Sequence, residues 1–391
     1  MKPTIDSYFR MALLAAACSV GPALYAADGP DPIVGGPVAG EGAIKGGEAP
    51  SPAILVPSRP QASPQMQAVL DQLLALGGKP ITQLSAKDAR KQPSPADAVK
   101  ELMQKQNLKP EKLGKIDDVD IKLSSGDVKG RIYKPEGDGP FPVILYIHGG
   151  GWVLADLDTY DATPRALCKA TNALVVSTDY RHAPEHRFPA GHEDVFGAYQ
   201  WTLENAGRWS GDASRVAVVG ESAGGNMAVA LGMMAQEKGM QMPVHQVLVY
   251  PVASTSMNTE SYQQHAQAAP LSAAMMKWFF DQTLAKEEDW KNHQINLLGA
   301  HSLAGLPPTT IITADLDPLR SDGELLAKKL RADGVAVQYK NYEGVTHEFF
   351  GMGAVVDTAR EAVNFASSNL KTALSSPEGA ATKPVQPDEG E

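Results

Sequence analysis

Gly220-Glu221-Ser222-Ala223-Gly224-Gly225 is the stretch whose reading decides the fold. The apolar run Val216-Ala217-Val218-Val219 leads into it, and the Ala- and Met-rich segment Asn226 to Gln236 follows. That order predicts a strand, a tight turn and a helix with a serine at the apex. It fits the pattern G-x-S-x-G, in which the turn holds the serine in a strained conformation and lifts its hydroxyl clear of the sheet. Glycines flank the serine because bulky side chains do not fit where strand and helix meet so closely. The turn also sets Ser222 at a helix N-terminus, where unpaired N–H groups favour negative charge. Gly and Ser are common turn residues, so the pattern carries chemistry only if the chain also supplies an oxyanion site, an acid and a histidine.

All three are present. His148-Gly149-Gly150-Gly151-Trp152 follows the strand candidate Val143–Ile147. The N–H groups of Gly149 and Gly150, with that of Ala223 after the serine, are the expected oxyanion hole. Donors aimed at a tetrahedral oxyanion are worth roughly 3–4 kcal/mol each in acyl transfer. Downstream, the strand candidate Thr310–Thr313 runs into Ala314-Asp315-Leu316-Asp317-Pro318. Asp317 is the preferred acid because Pro318 holds it extended at the strand exit, and Asp315 is the alternative. The last strand candidate, Val335–Tyr339, leads to Gly344-Val345-Thr346-His347. A loop histidine there can reach Ser222, and imidazole titrates where a base that later serves as an acid must titrate. Of the other histidines, His148 reads as a brace for the glycine loop. His182, His186 and His192 lie together but lack a ligand spacing that argues for a metal, so no metal or cofactor is expected. Trp152, Trp278 and Phe279 are candidate substrate contacts, with ordinary core packing as the competing reading.

The β-rich runs Val119–Leu123 and Gly130–Tyr133 flank Ser124-Ser125-Gly126-Asp127 and predict a hairpin. Beyond Pro140 strands and helices alternate, with Leu174–Thr178 and Val247–Tyr250 completing the strand set. Alternation predicts an α/β fold with a mostly parallel sheet covered by helices on both faces. Ligands in such sheets sit at the carboxyl ends of the strands. The expected organisation is a signal peptide at 1–26, a Gly/Pro-rich linker at 27–62, a helical cap segment at 63–115, a catalytic domain at 116–372 with a cap insertion at about 252–306, and a disordered tail at 373–391. About two helices are expected in the insertion, including Ser272 to Leu284.

The chain has 391 residues, of which 43% are hydrophobic, so it can form one large domain with embellishments or two domains. Its net charge of −10 and the lack of a basic cluster argue against nucleic acid as a partner. Lys2 and Arg10, the apolar run Met11 to Ala17 and the small residues up to Ala27 read as an export signal. The expected location is periplasmic or secreted. A lipid anchor on Cys18, after Ala15-Ala16-Ala17, is the alternative, and no membrane span is expected. With the signal removed, Cys168 stands alone and reads as a buried, inert thiol. The oligomeric state is not readable from the sequence.

The order Ser222, Asp317, His347 is that of the α/β-hydrolase fold. Together with His148–Trp152, Asp179-Tyr180-Arg181-His182-Ala183-Pro184-Glu185, Asp317-Pro318-Leu319-Arg320 and Gly344–His347, it makes the chain resemble the hormone-sensitive-lipase-like family of esterases over roughly residues 63–371. The resemblance implies a serine carboxylesterase acting without a cofactor on a small-molecule ester. Three departures stand out: Ser321-Asp322-Gly323 where the family usually has Asp-Glu-Gly, His182 for a usual leucine, and Glu348 where a glycine often follows the histidine. None removes a triad member. The roof expected from 63–115 and 252–306 points to short- or medium-chain esters. Alternatives on the same fold are an amidase or peptidase and a non-catalytic binding protein. No peptide-end anchor is recognisable, and the retained His347 argues for catalysis.

Overall fold

The structure, a computed structural model, describes residues 61–375. The signal, Cys18, nearly all of the linker and residues 376–391 lie outside them.

Eight strands form one sheet: β1 Lys115–Ile121, β2 Val128–Lys134, β3 Phe141–Ile147, β4 Leu174–Thr178, β5 Gly211–Glu221, β6 Gln246–Val249, β7 Thr309–Leu316 and β8 Val337–Thr346. Their order is β1-β2-β4-β3-β5-β6-β7-β8. The hairpin β1/β2 is antiparallel, β2 joins β4 antiparallel, and every other pairing is parallel. This is the expected α/β-hydrolase architecture. The central strands read as continuous apolar runs because both faces are covered. Along β3, Val143, Leu145 and Ile147 enter one core, while Ile144 and Tyr146 enter the other.

The helices are α1 Pro64–Ala75, α2 Ala86–Ala89, α3 Pro95–Lys105, α4 Ala162–Thr171, α5 Ala190–Asn205, α6 Ala223–Glu237, α7 Glu260–Gln264, α8 Ala273–Thr283, α9 Glu287–Lys291, α10 Arg320–Ala332 and α11 Asp357–Ser375. α11 carries residues 373–375, which the sequence reading placed in the tail. Its apolar stripe runs on through Leu370 and Leu374, which are buried, so the helix continues with them. The cap insertion holds α7, α8 and α9 rather than about two helices. The extra pieces, α7 and α9, are only five residues each, too short for a 3.6-residue periodicity to show.

The segment before β1 packs on the main body. Ser94 and Asp97 form a reciprocal capping box that starts α3. The Ser63 N–H donates to the Gly344 carbonyl at 2.8 Å, beside the loop that carries His347. Arg90, just past α2, ties this segment to the loops after β3 and β4. Its Nε donates to the Val153 carbonyl at 2.8 Å and its Nη2 to the Ala183 carbonyl at 2.7 Å.

Candidate active site

β5 ends at Glu221, α6 begins at Ala223, and Ser222 is the single residue between them. Its backbone sits at φ 55°, ψ −117°, a conformation that costs a non-glycine residue about 1–3 kcal/mol. The crossing is so tight that a Cβ on Gly220 would lie 2.2 Å from the Gly224 carbonyl oxygen. Ser222 is 4% exposed and lines a cavity of about 340 Å³.

The Ser222 Oγ lies 2.9 Å from His347 Nε2, and His347 Nδ1 lies 2.6 Å from Asp317 Oδ2. The carboxylate fixes the tautomer: Nδ1–H donates to Asp317, so Nε2 is left to accept from the serine hydroxyl. Asp317 follows the end of β7 and is fully buried, and its Oδ1 accepts from the Leu319 N–H at 2.8 Å. Asp315 instead pairs with Arg320 at 3.3 Å and makes no contact with His347. Burial works to lower the pKa of His347. It is outweighed by the charge and hydrogen bond of Asp317, with Glu348 and Glu221 adding to them, so the imidazole lies above its ordinary 6.5.

The glycine loop follows β3 beside the elbow. A Cβ on Gly149 would fall 3.1 Å from the Ser222 Cβ. No acceptor among the described residues takes the N–H of Gly149 or Gly150. Ala223 opens α6, so its N–H has no intrahelical partner. His148 braces the loop: Nδ1–H donates to the Gly149 carbonyl at 2.9 Å, Nε2 lies 3.2 Å from Asp179, and the ring stacks on Tyr180 at 4.5 Å.

Of the expected substrate contacts, Phe279 lines the cavity with Leu271, Met275 and Met276. Trp152 and Trp278 do not. Trp152 is buried behind the loop, 6.0 Å from the Phe280 ring and 6.4 Å from His192, and Trp278 packs edge-on against Phe279 at 5.2 Å. Among the described residues one cluster could offer three metal ligands, His148, Asp179 and His182. Asp179 already accepts from the Tyr180 N–H, and burial pushes His182 down to about 4, so it stays neutral. Farther along the histidine-rich stretch, His192 donates to the Asn226 side chain at 3.0 Å.

Of the acidic groups around the triad, sequence reasoning passed over Glu221, while Asp322 and Glu348 stood in it as departures from the family pattern. Glu221 is fully enclosed, and burial pushes its carboxyl up to about 7 against the pull of Tyr146 and Tyr250. Tyr146 donates to it at 2.5 Å, and Tyr250 donates to its other oxygen while standing 4.4 Å from the His347 ring. Asp322 is likewise pushed up to about 7 by burial, and it accepts from the Ala253 and Ser254 N–H groups at the root of the cap insertion. Glu348 holds φ 70°, a left-handed conformation that costs a non-glycine residue about 1–2 kcal/mol. Its oxygens take the Tyr160 hydroxyl at 2.6 and 2.8 Å. For Glu221, the acidic residue inside G-x-S-x-G was the signal available.

Residues 144–351 match the family described as alpha/beta hydrolase fold. The carboxylesterase NlhH of Mycobacterium tuberculosis is 38% identical over 257 residues, which span 63% of this chain and 79% of that protein. The ethyl acetate hydrolase of Pseudomonas putida is 33% identical over 249 residues, 62% of this chain and 78% of that one. Among solved structures, a hyperthermophilic esterase from the archaeon Pyrobaculum calidifontis superposes with a TM-score of 0.73 at 33% identity, covering 80% of this chain and 98% of that one.

Proposed function

The chain belongs to the α/β-hydrolase family, in its hormone-sensitive-lipase-like branch, and from that premise we propose that Ser222, His347 and Asp317 form the catalytic triad of its carboxylic ester hydrolysis. The observation that carries the assignment is the unbroken line of hydrogen bonds from Ser222 Oγ through His347 to Asp317, at 2.9 and 2.6 Å.

Each group has one task. His347 Nε2 takes the Ser222 proton as Oγ attacks the ester carbonyl carbon. The carbonyl oxygen becomes an oxyanion facing the N–H groups of Gly149, Gly150 and Ala223. As the intermediate collapses, the imidazolium returns the proton to the departing alkoxide, leaving an acyl-serine and a free alcohol. Water then attacks the acyl carbon, His347 takes a proton from it, and the acid leaves as Ser222 Oγ recovers its hydrogen. Asp317 holds the ring in place and stabilises the imidazolium throughout. The raised pKa of His347 suits it to carry that charge.

The substrates are short- to medium-chain esters. The cavity of about 340 Å³ is walled by α8 and by the segment before β1, so it limits acyl length. The cap is also broken into short helices. α9 opens with Glu287, Glu288 and Asp289, which suits solvent better than an oil surface. The discriminating experiment compares a soluble butyrate ester with a long-chain triglyceride emulsion. Turnover of the first with little of the second is expected. Poor turnover of the soluble ester with a jump in rate at the oil–water interface would remove the reading. The export reading for residues 1–26 stands beside this as a proposal, supported by Lys2, Arg10 and the apolar run after them.

A further inference from the structure

The cavity above Ser222 is unbalanced in charge. Its lining carries the carboxylates of Asp97, Asp156 and Glu348 against a single guanidinium, Arg90. Arg90 is committed elsewhere: besides the two carbonyls already described, it holds both oxygens of Glu185 at 2.7 and 2.8 Å. Asp97 and Asp156 stand exposed at the rim, each with one oxygen closed by a local turn, on Ser94 and on Thr159. Glu348 lies deeper, its side chain 23% exposed.

Glu348 is placed where the leaving group must pass. Its Oε1 lies 3.9 Å from His347 Nε2, the nitrogen that hands the proton to the departing alkoxide. The alcohol portion of a bound ester is therefore on the Glu348 side. Phe349, fully buried, anchors the next residue and fixes the root of the side chain. The Tyr160 hydroxyl has one proton to share between two carboxylate oxygens, so lone pairs remain for a ligand. Across the cavity the wall is apolar, formed by Leu271, Met275, Met276 and Phe279.

We propose that the enzyme selects esters whose alcohol portion carries an ammonium group, seated against Glu348, with an uncharged acyl chain against the apolar wall. The inference rests on the esterase reading above. A carboxylate in a half-closed cleft attracts a cation more strongly than an exposed one does, because less water screens the pair.

The test uses two esters of one shape, butyrylcholine and 3,3-dimethylbutyl butyrate, which differ by carbon in place of the charged nitrogen. The wild-type kcat/KM should favour the choline ester by about five- to tenfold at low salt, roughly 1–1.4 kcal/mol. The preference should shrink as salt rises. In Glu348→Gln the ratio should fall to within about twofold of unity, chiefly through KM of the charged ester, and Glu348→Asp should keep part of it. Because the readout is a ratio, a general loss from disturbing His347 cancels. If Glu348→Gln does not fold, inhibition of the wild type by choline and by 3,3-dimethylbutan-1-ol, assayed with the neutral ester, reads the same preference, and choline should bind more tightly. A wild-type ratio of one or below, equal inhibition by the two alcohols, or a ratio unchanged in Glu348→Gln overturns the inference. Turnover of the neutral ester without preference overturns it and leaves the esterase reading standing, whereas turnover of neither ester removes both.

Discussion

Replacing Asp317 by asparagine perturbs one atom at a site where two hydrogen bonds dictate the outcome. Asp317 is fully buried, accepting from the Leu319 N–H through Oδ1 at 2.8 Å and from His347 Nδ1–H through Oδ2 at 2.6 Å. In the variant the Leu319 N–H must still meet an acceptor, so the amide oxygen takes the Oδ1 place. The amide NH2 then faces Nδ1. Two donors cannot share that contact, so Nδ1 gives up its hydrogen and Nε2 becomes protonated. The Ser222 hydroxyl then faces an N–H instead of a lone pair, and the charge that stabilised the imidazolium is gone. For a triad broken in this way kcat falls by about 10,000-fold, roughly 5 kcal/mol of transition-state stabilisation. The assay is kcat on a soluble chromogenic butyrate, with thermal unfolding of both proteins as the control for folding. Asp315→Asn, which disturbs only the pair with Arg320, should change kcat by less than about threefold. A loss of less than about tenfold for Asp317→Asn, or a larger loss for Asp315→Asn, would refute the reasoning and move the acid to Asp315.

Three further outcomes are expected. His347 must be neutral to accept the serine proton, and its pKa is raised, so kcat/KM should climb through an acid limb above the ordinary 6.5. Glu348→Gln removes one of the charges that raise it and should shift that limb to lower pH, as a kcat/KM–pH profile would record. Glu221 is a carboxyl whose folded pKa is raised from 4.5 to about 7, so the stability it contributes is complete below 4.5 and is lost as pH rises through 7. Glu221→Gln cannot ionise, so its melting temperature relative to the wild type should rise across that window; a flat difference would place the charge elsewhere. If residues 1–26 direct export, mass spectrometry of the exported protein should find Ala27 at or near its N-terminus; an intact Met1 in cytosolic material would overturn that, and a lipid on Cys18 would favour the anchor.

What could be read from the residues was what local chemistry dictates. The elbow, the glycine loop and the histidine after the last strand each depend on a few adjacent residues whose backbone leaves little choice. Gly220 and Gly224 nearly touch across the turn, and no other residue type would pass there. Strand lengths were harder. β5 begins at Gly211, five residues before the apolar run, because the polar stretch Asp212 to Arg215 is drawn in by pairing of Gly211 with Phe141 on β3. β8 alternates half-buried and exposed from Val337 to Asn341, as an edge strand with a neighbour on one side only, and then runs on to Thr346 with Tyr342, Val345 and Thr346 buried. Helices α7 and α9 carry too few residues for their period to register.

Within the site, the part that depends on one stretch was legible and the part that depends on several was not. Phe279 and Trp278 are adjacent and chemically alike, yet only Phe279 lines the cavity, because the rotation of α8 on the body decides between them. Trp152 stands at positive φ, which turns its ring behind the loop and into the core. Glu221 occupies the unspecified position of its motif. Its environment comes from Tyr146 on β3 and Tyr250 just past β6, the two strands that flank β5 in the sheet. No local pattern joins those three residues.

The most direct measurement on the central claim, ester hydrolysis through an acyl-enzyme on Ser222, is site mapping after reaction with a fluorophosphonate. The protein is titrated with the reagent, residual hydrolysis of a soluble butyrate is followed, and the adduct is located by peptide mass spectrometry. The account predicts a stoichiometric adduct on the peptide that contains Ser222, with activity lost in proportion to labelling. An adduct on any other residue, or a fully labelled Ser222 in a protein that still hydrolyses the ester, would contradict it.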